Sequence, residues 1–235
     1  MSRPADPVLL PSLKRELVAW CQKLWDRGWV ANHDGNVSCR LGAGKLLCTP
    51  TAFSKAAVRE DDLLVCDLTG KKLQGRWNTF GELKLHLAAY KARPDAVAVL
   101  HAHPPTATGF SIAGIPVETT AIAEAVVSLG PKVPTLPFAM PGSEPALDAL
   151  GSALAWYDAV ILANHGVLTV GKDLEQAYLR MELVEHLARM QLVARQLGAT
   201  QMSALTDGQL QELLKSRTKA GLGPESRGLT GAPPL

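Results

Sequence analysis

The sequence predicts a single α/β domain in which helices pack on a mixed, largely antiparallel sheet. Segments with helical periodicity interleave with short strand-like runs, and several of these runs lie close enough along the chain to form hairpins. Of the 235 residues, 47% are hydrophobic, which is ample for one sizeable core. These observations favour one folded domain with a layered architecture.

The first half of the chain has six segments with a clear pattern. The predicted helices are Ser12–Gly28 and Gly81–Arg93, and the predicted strands are Asn36–Leu41, Lys45–Thr49, Leu63–Leu68 and Ala96–Ala102. Ser12 can cap the first helix and Gly28 can end it, whereas Pro94 stops the second. The turn Gly42-Ala43-Gly44 predicts a hairpin between the first two strands. The last strand is a continuous apolar run, which is typical of the centre of a sheet.

The second half continues the alternation of helices and strands. Helices are predicted at Ser143–Trp156, Asp173–Gly198 and Thr206–Ser216, and strands at Asp158–Ala163 and Val167–Val170. Prolines divide the segment before Ser143 into a short strand and a loop. We expect the folded domain to cover residues 1–216. Residues 217–235, which are rich in glycine and proline, are predicted to form a flexible C-terminal tail.

Composition and charge argue against several classes of function. The formal charge is +2, from 24 basic and 22 acidic residues, and no basic run concentrates it, so nucleic-acid binding has no electrostatic support. The longest apolar runs are far too short to span a bilayer, and the first twenty residues lack the apolar core of a signal peptide. We therefore expect a cytoplasmic protein without membrane contact. The four cysteines form no C-x-x-C pair and lie in apolar stretches, which predicts buried free thiols.

Three of the six histidines stand where they could bind a metal ion. His101 and His103 are one residue apart at the end of a predicted strand, so alternation along the strand points both rings to one face. His165 follows another predicted strand. Three neutral imidazoles on Zn²⁺ leave its double charge uncompensated and one position open, as in a catalytic site. The alternative for the H-x-H pair alone is two unrelated polar residues at a strand end.

Three further segments are candidates for a site. Glu82 begins the second predicted helix, where it can form a metal pair with His86 or simply interact with the helix dipole. The loops Asp34–Ser38 and Thr49–Lys55 offer backbone N–H groups, hydroxyls and the ammonium group of a lysine, which can bind an anion such as phosphate. The same residue types are also typical of ordinary turns.

Taken in order, these segments resemble the class II aldolase/adducin family. The matching stretches are G-N-V-S (Gly35–Ser38), T-P-T (Thr49–Thr51), E-x-x-x-H (Glu82–His86), R-P-D (Arg93–Asp95), H-A-H-P (His101–Pro104) and N-H-G (Asn164–Gly166). The resemblance extends from Leu13 to Leu197, over most of the chain, and the members that look most similar are of the L-fuculose-phosphate aldolase kind.

The resemblance implies a three-layer α/β/α catalytic domain over residues 1–216 and a homotetramer with active sites between neighbouring subunits. It implies that Glu82 is the acid/base and that zinc, with manganese or cobalt as substitutes, is held by three histidines. The implied metal ligands are His101, His103 and His165, and the implied substrate-binding residues are Gly35, Asn36, Thr51, Ala52, Lys55, Phe80 and Gly81. The implied reaction is the reversible retro-aldol cleavage of a small hydroxy-ketone or ketose, including a ketose 1-phosphate, to a ketone donor and an aldehyde.

The chain departs from the family pattern at three places near the substrate. Phosphate-binding members commonly have Ser-Ser where this chain has Phe80-Gly81, and the familiar T-P-T-G loop ends here in Ala52. A tyrosine that assists proton transfer is expected near Thr119–Thr120, where this chain has none. Phe80 would place an apolar ring beside Glu82. We therefore expect a weaker demand for a phosphorylated substrate.

Two other kinds of function stay open. One is another enzyme of the same superfamily: a decarboxylase, a dehydratase or a sugar-phosphate 4-epimerase, although epimerase members usually have aspartate where this chain has Glu82. The other is a non-enzymatic, adducin-like interaction module. Such modules lose the metal ligands, whereas this chain keeps all three.

Overall fold

The sheet at the centre of the computed structural model, which describes residues 9–231, has eight strands. The strands are β1 (Asn36–Gly42), β2 (Lys45–Cys48), β3 (Leu64–Asp67), β4 (Lys72–Gln74), β5 (Ala98–Ala102), β6 (Thr135–Leu136), β7 (Ala159–Leu162) and β8 (Gly166–Gly171). Their order across the sheet is β4-β3-β2-β1-β5-β8-β7-β6. Only β6 and β7 pair in parallel, so the predicted mixed, largely antiparallel sheet is confirmed.

Helices cover both faces of this sheet. They are α1 (Leu9–Asp26), α2 (Leu83–Ala92), α3 (Pro105–Ile112), α4 (Ala123–Leu129), α5 (Glu144–Trp156), α6 (Leu174–Gln196) and α7 (Asp207–Lys219). Because side chains alternate along a strand, Leu100 of β5 packs into one core with α1, α3, α4 and α6, while Val99 packs into a second core with α2 and α5. The fold therefore has three layers. Within residues 9–231, none of the helices combines the length and the apolar character that a membrane span requires.

Most predicted elements are present, with their ends shifted by a few residues. The first helix begins at Leu9, so Ser12 lies inside it and does not stand at its start. Asp173 caps α6, because its carboxylate accepts a hydrogen bond from the backbone N–H of Gln176 at 2.7 Å. The four cysteines are buried free thiols, as predicted.

Three elements were not predicted: α3, α4 and β4. Helix α3 has the sequence P-T-A-T-G-F-S-I, which contains a glycine and no regular apolar stripe. Helix α4 has seven residues and is too short for a helical period to stand out. Strand β4 is an exposed strand at the edge of the sheet, with Lys72 and Gln74 on either side of Leu73.

The last helix runs past the predicted end of the folded domain. A capping box between Thr206 and Gln209 starts α7, which ends at Lys219. The boundary predicted at residue 216 therefore falls inside a helix, and Arg217 is buried. The flexibility of 217–235 stays a prediction, and residues 232–235 lie outside the described ones.

A buried carboxylate, that of Asp158 just before β7, holds the C-terminal segment against the sheet. Arg93, Arg180 and Arg217 donate to it at 2.7, 2.9 and 2.5 Å, and Arg227 lies 3.6 Å away. Arg93, Arg217 and Arg227 also donate to carbonyl oxygens at the C-terminal ends of α4 and α5, which have no partner within their own helices. Arg180 donates instead to the carbonyl oxygen of Val170 in β8. Burial would raise the pKa of Asp158, but the arginines outweigh it and hold the pKa below its usual value.

We predict that Asp158→Asn lowers the free energy of unfolding by about 3–5 kcal/mol, because it leaves buried guanidinium groups without their counter-charge. Urea unfolding followed by circular dichroism would measure the loss. Asp95→Asn is the matched control: Asp95 also pairs with Arg93, at 2.8 Å, but its side chain is 48% exposed. The control should lose less than about 1 kcal/mol. Equal losses in the two variants would contradict the role given to Asp158.

Candidate active site

The three predicted histidines converge at one edge of the sheet. His101 lies near the end of β5, His103 follows that strand, and His165 lies in the tight turn between β7 and β8. Because β8 pairs with β5 on one side and with β7 on the other, this turn stands beside the end of β5. Nε2 of His101 lies 3.2 Å from Nε2 of His103 and 3.2 Å from Nε2 of His165. One ligand atom from each residue lies within 4.8 Å of the others.

The partners of two rings fix where their protons lie. Nδ1 of His101 is 2.9 Å from the carbonyl oxygen of Val167, which can only accept, so Nδ1 carries the proton. Nδ1 of His103 is 2.7 Å from a carboxylate oxygen of Asp34 and donates to it. Burial lowers the pKa of His101 to about 4, so its Nε2 is an unprotonated lone pair at neutral pH. The Nε2 atoms of the three rings thus face one another around the lone pair of His101, an arrangement that could hold a divalent ion.

Steric constraints explain why asparagine and glycine stand at the two ends of the N-H-G motif. Asn164 has a positive φ of 57°, which asparagine tolerates better than most residues and which makes the tight turn. A Cβ on Gly166 would lie 2.5 Å from the ring of His103 and 3.2 Å from the ring of His101. Gly166 therefore leaves the space that two of the rings occupy.

Glu82 joins the histidine cluster from the other side. Its Oε1 lies 2.7 Å from Nε2 of His165, and its Oε2 lies 3.5 Å from Nε2 of His101. It stands at the N-cap of α2 but makes no capping hydrogen bond, so its side chain serves the cluster and not the helix. Burial would raise the pKa of Glu82, but the hydrogen bond from His165, the electrostatic interaction with the His101 ring and the hydrogen bond from Asn36 outweigh it and hold the pKa well below its usual range.

The sequence also allowed a metal pair between Glu82 and His86, and the structure does not form one. The ring of His86 is fully buried, with Nδ1 2.7 Å from Oγ of Ser38 and Nε2 2.6 Å from Oδ1 of Asn36. Both nitrogens are therefore engaged inside the core. Burial lowers the pKa of His86 to about 3, so the ring is neutral.

The loop that holds Gly35 and Asn36 is packed against the cluster. Gly35 has a φ of +69°, and a Cβ on it would meet Val30 at 2.5 Å and the carbonyl oxygen of His101 at 3.1 Å. The side-chain amide of Asn36 donates to Oε2 of Glu82 at 2.8 Å. That amide is thus used inside the protein, although the sequence placed it among the substrate-binding groups.

The other predicted substrate-binding residues are placed in different ways. The backbone N–H of Thr51 donates to the carbonyl oxygen of Asn78, and Ala52 adopts a positive φ of 58°, where glycine is usual. The ammonium group of Lys55 is buried and donates to the carbonyl oxygen of Phe53 at 2.8 Å, and burial lowers its pKa.

Phe80 and Gly81 differ from each other in what they face. Phe80 is 6% exposed and belongs to the core, with its ring against His86 at 4.9 Å between centroids. The role of Phe80 in substrate binding stays a prediction. Gly81 faces open space, since a Cβ there would have no atom within 4 Å.

Two hydrogen-bond acceptors orient the histidine rings, a role that the sequence analysis assigned to neither of them. The carboxylate of Asp34 orients His103, and the carbonyl oxygen of Val167 orients His101. The D-G-N-V-S motif was a signal for Asp34, since the aspartate directly precedes the matched glycine. A backbone carbonyl leaves no signal in a sequence.

Comparison with known proteins agrees with this geometry. Residues 15–192 match the family described as Class II Aldolase and Adducin N-terminal domain. An L-fuculose phosphate aldolase of Methanococcus maripaludis is 33% identical over 178 residues, which is 75% of this chain and 94% of that protein. A 5-deoxy-D-ribulose 1-phosphate aldolase of Bacillus thuringiensis is 26% identical over 209 residues, 88% of this chain and 96% of that protein.

Two further relatives widen the range of named reactions and support the fold. A 3-oxo-tetronate 4-phosphate decarboxylase of Pectobacterium atrosepticum is 29% identical over 203 residues, 85% of this chain and 91% of that protein. A solved structure of an L-fuculose 1-phosphate aldolase superposes with a TM-score of 0.79 at 25% identity, covering 88% of this chain and 96% of the other.

The fold, the histidine cluster and the aldolases among the relatives define an aldolase-type lyase. The chain belongs to the class II aldolase and adducin N-terminal domain family. The expected three-layer class II aldolase fold is confirmed.

We predict that Gly166→Ala lowers metal affinity by about 10–100-fold, because the added methyl group would meet the carbonyl oxygen of Ala102 and the ring of His103, each at 2.5 Å, and displace the rings of His101 and His103. Metal titration of the purified variants would measure this. Gly109→Ala in α3 is the control, since a Cβ there meets no atom within 4 Å. Undiminished affinity in the Gly166 variant would show that the rings can shift at no cost.

Proposed function

We propose that the protein is a metal-dependent class II aldolase that reversibly cleaves a small hydroxy-ketone or ketose, giving a ketone donor and an aldehyde. The observation that supports this most directly is Glu82 at the histidine cluster, with its Oε1 2.7 Å from Nε2 of His165. A carboxylate in this position lies next to any substrate oxygen that reaches the cluster, and so within reach of the neighbouring carbon.

His101, His103 and His165 would hold the metal ion through ring nitrogens. Zinc is the first choice because three imidazoles suit it, and manganese or cobalt can substitute. When bound, the ion would act as a Lewis acid toward a carbonyl oxygen and an adjacent hydroxyl oxygen, and so lower the energy of the enediolate that bond cleavage leaves.

Glu82 would supply the proton transfer. In cleavage, the carboxylate of Glu82 takes the proton from the hydroxyl on the carbon β to the ketone, that carbon becomes the aldehyde, and the electron pair of the broken C–C bond stays on the α carbon. Protonated Glu82 then gives its proton to that carbon. In condensation the carboxylate removes the same proton, and its lowered pKa keeps it ready as a base.

The reactions named for the relatives share one carbanion. A ketose 1-phosphate cut between C3 and C4 leaves the enediolate of dihydroxyacetone phosphate, and a 3-oxo-tetronate 4-phosphate that loses its carboxyl group leaves the same enediolate. The leaving group differs, an aldehyde or carbon dioxide. We therefore propose a substrate that yields a three-carbon ketone enediolate. Decarboxylation is the second candidate function, favoured by the relative that is 29% identical.

A homotetramer with active sites between neighbouring subunits, located in the cytoplasm, completes the proposal. Phe138, which is 57% exposed, lines a recess together with His165, and Met140, two residues further along the chain, is 68% exposed. A neighbouring subunit covering them would close the site. A native mass equal to that of one chain would contradict this assembly.

We predict that the purified protein holds about one divalent ion per chain and that replacing both His101 and His103 by alanine removes it together with activity. Elemental analysis and thermal unfolding would show loss of metal with the fold retained. His186→Ala, which changes an exposed histidine on α6, is the control and should keep the metal. Stoichiometric metal in the double variant would refute the ligand set.

We predict that Glu82→Gln keeps the metal but lowers turnover by about 10²–10⁴-fold, because the amide cannot transfer the proton. Glu144→Gln is the matched control, since Glu144 is an exposed carboxylate at the start of another helix. Metal loss in Glu82→Gln would make Glu82 mainly a ligand. Unchanged turnover would remove it from the mechanism.

We predict that the preference for dihydroxyacetone phosphate over dihydroxyacetone and pyruvate, measured as kcat/KM in condensation, is weaker than in the fuculose-phosphate aldolase of M. maripaludis. The reason is that fewer donors are left for a phosphate group. One donor group in each of Asn36, Thr51 and Lys55 already donates a hydrogen bond within the protein, and Gly81 has no hydroxyl group.

The open space at Gly81 allows the reverse test. Gly81→Ser should raise the preference for the phosphorylated donor by about tenfold, because a hydrogen bond to a charged group contributes about 1.5 kcal/mol or more. Gly81→Ala fills the same space without a hydroxyl and is the control. An exclusive demand for the phosphorylated donor in the unmodified protein would show that other groups bind the phosphate.

A further inference from the structure

A chain of hydrogen bonds leads from Glu82 into the core of the protein. Oε2 of Glu82 is 2.8 Å from Nδ2 of Asn36, whose Oδ1 is 2.6 Å from Nε2 of His86. Nδ1 of His86 is 2.7 Å from Oγ of Ser38, which is 3.0 Å from the hydroxyl of Tyr90. The four residues behind Glu82 are buried, with at most 4% of each exposed.

The chemistry of the groups fixes the direction of each bond between Ser38 and Glu82. The carboxylate of Glu82 only accepts, so the NH₂ group of Asn36 faces it and the oxygen of Asn36 faces His86. That oxygen also only accepts, so His86 carries its proton on Nε2. Nδ1 is then a lone pair that accepts from the hydroxyl of Ser38. The proton of the Tyr90 hydroxyl has two acceptors within reach, Oγ of Ser38 at 3.0 Å and the carbonyl oxygen of Val97 at 3.4 Å. From Ser38 onward, every proton in the chain points toward Glu82.

We propose that His86 is a positioning residue for Glu82, acting through the side-chain amide of Asn36; this rests on the function proposed above. Nε2 of His86 holds the amide oxygen, so the amide cannot rotate away and its NH₂ group keeps Oε2 of Glu82. Oε1 is left to face His165 and the substrate.

The positions of the two residues explain why such a support is needed. Glu82 stands at the first turn of α2 without a capping bond, and its side chain is 22% exposed. A glutamate in that situation has several rotamers, and holding one of them before the substrate binds lowers the entropy lost in the reaction. His86 lies one helical turn further along α2, where it can support the site from inside the core.

The first test compares His86→Leu with His86→Gln in zinc-loaded protein. The probe reaction is the exchange of a C–H proton of dihydroxyacetone phosphate, or of dihydroxyacetone, with deuterium from heavy water, followed by NMR. We expect the maximal exchange rate of His86→Leu to fall about 10–100-fold, with KM and zinc content unchanged. His86→Gln keeps an N–H donor for Asn36 and should recover most of the rate.

Thr169→Val separates positioning from general loss of stability. It removes another fully buried hydrogen bond, from Oγ1 of Thr169 to the carbonyl oxygen of Ala177 at 2.7 Å, which has no link to Glu82. This control should keep the wild-type exchange rate per folded, zinc-loaded molecule. A wild-type rate in His86→Leu, or an equal loss in both variants, would overturn the proposal.

A second test works without metal or substrate. Nitrogen-15 NMR of the metal-free protein should show His86 protonated on Nε2. The side-chain NH₂ signals of Asn36 should be protected from solvent exchange, and His86→Leu should remove this protection while His86→Gln keeps it. A ring protonated on Nδ1, or unchanged protection in His86→Leu, would overturn the proposal. Absence of deuterium exchange in the wild type with either probe would instead contradict the proposed function, and these signals would still decide the role of His86.

Discussion

The place of β5 between β1 and β8 is the constraint on which the site depends. Along one edge of β5, His101 lies opposite Asn36 of β1, and along the other edge it lies opposite Leu168 of β8. Two antiparallel ladders thus hold the backbone of His101 from both sides, and the ring cannot move far without breaking one of them. Strand β1, which begins with Asn36, pairs directly with β5. The turn that holds His165 joins β7 to β8, and β8 pairs with β5 on its other side. These pairings bring Asn36 and His165 beside His101.

The same ladders explain the two glycines of the matching motifs. Gly35 precedes β1 and comes close to the carbonyl oxygen of His101, and Gly166 begins β8 and faces the histidine rings. A larger residue at either position would place its side chain in space that β5 or its histidines already occupy. The glycines therefore allow close approach of the neighbouring strands to the end of β5 that carries His101 and leads into His103.

The two ends of β7 show contrasting solutions to buried charge. Before its first residue, Asp158 is surrounded by arginines and helix carbonyls, so its charge is compensated within the protein and it supports the fold. After its last residue, His165 joins His101 and His103 in a cluster of ring nitrogens that could hold a metal ion. The first cluster thus balances its own charge and supports the fold, whereas the second is a candidate site for a cation, in line with the family to which the chain belongs.

The sequence alone determined the order of most strands and helices, the central position of β5 and the three histidines that meet at its end. These features depend on local periodicity and on alternation along a strand, both of which one segment contains in full. Only the tertiary structure decided that Asn36 serves Glu82, that His86 lies in the core away from the other histidines, and that Phe80 packs against His86. The sequence also did not predict the short elements α3, α4 and β4, because their local pattern is weak and they depend on packing and strand pairing. Spacing along the chain fixes which face a side chain takes, whereas its partner depends on which distant strands and helices pack against that face.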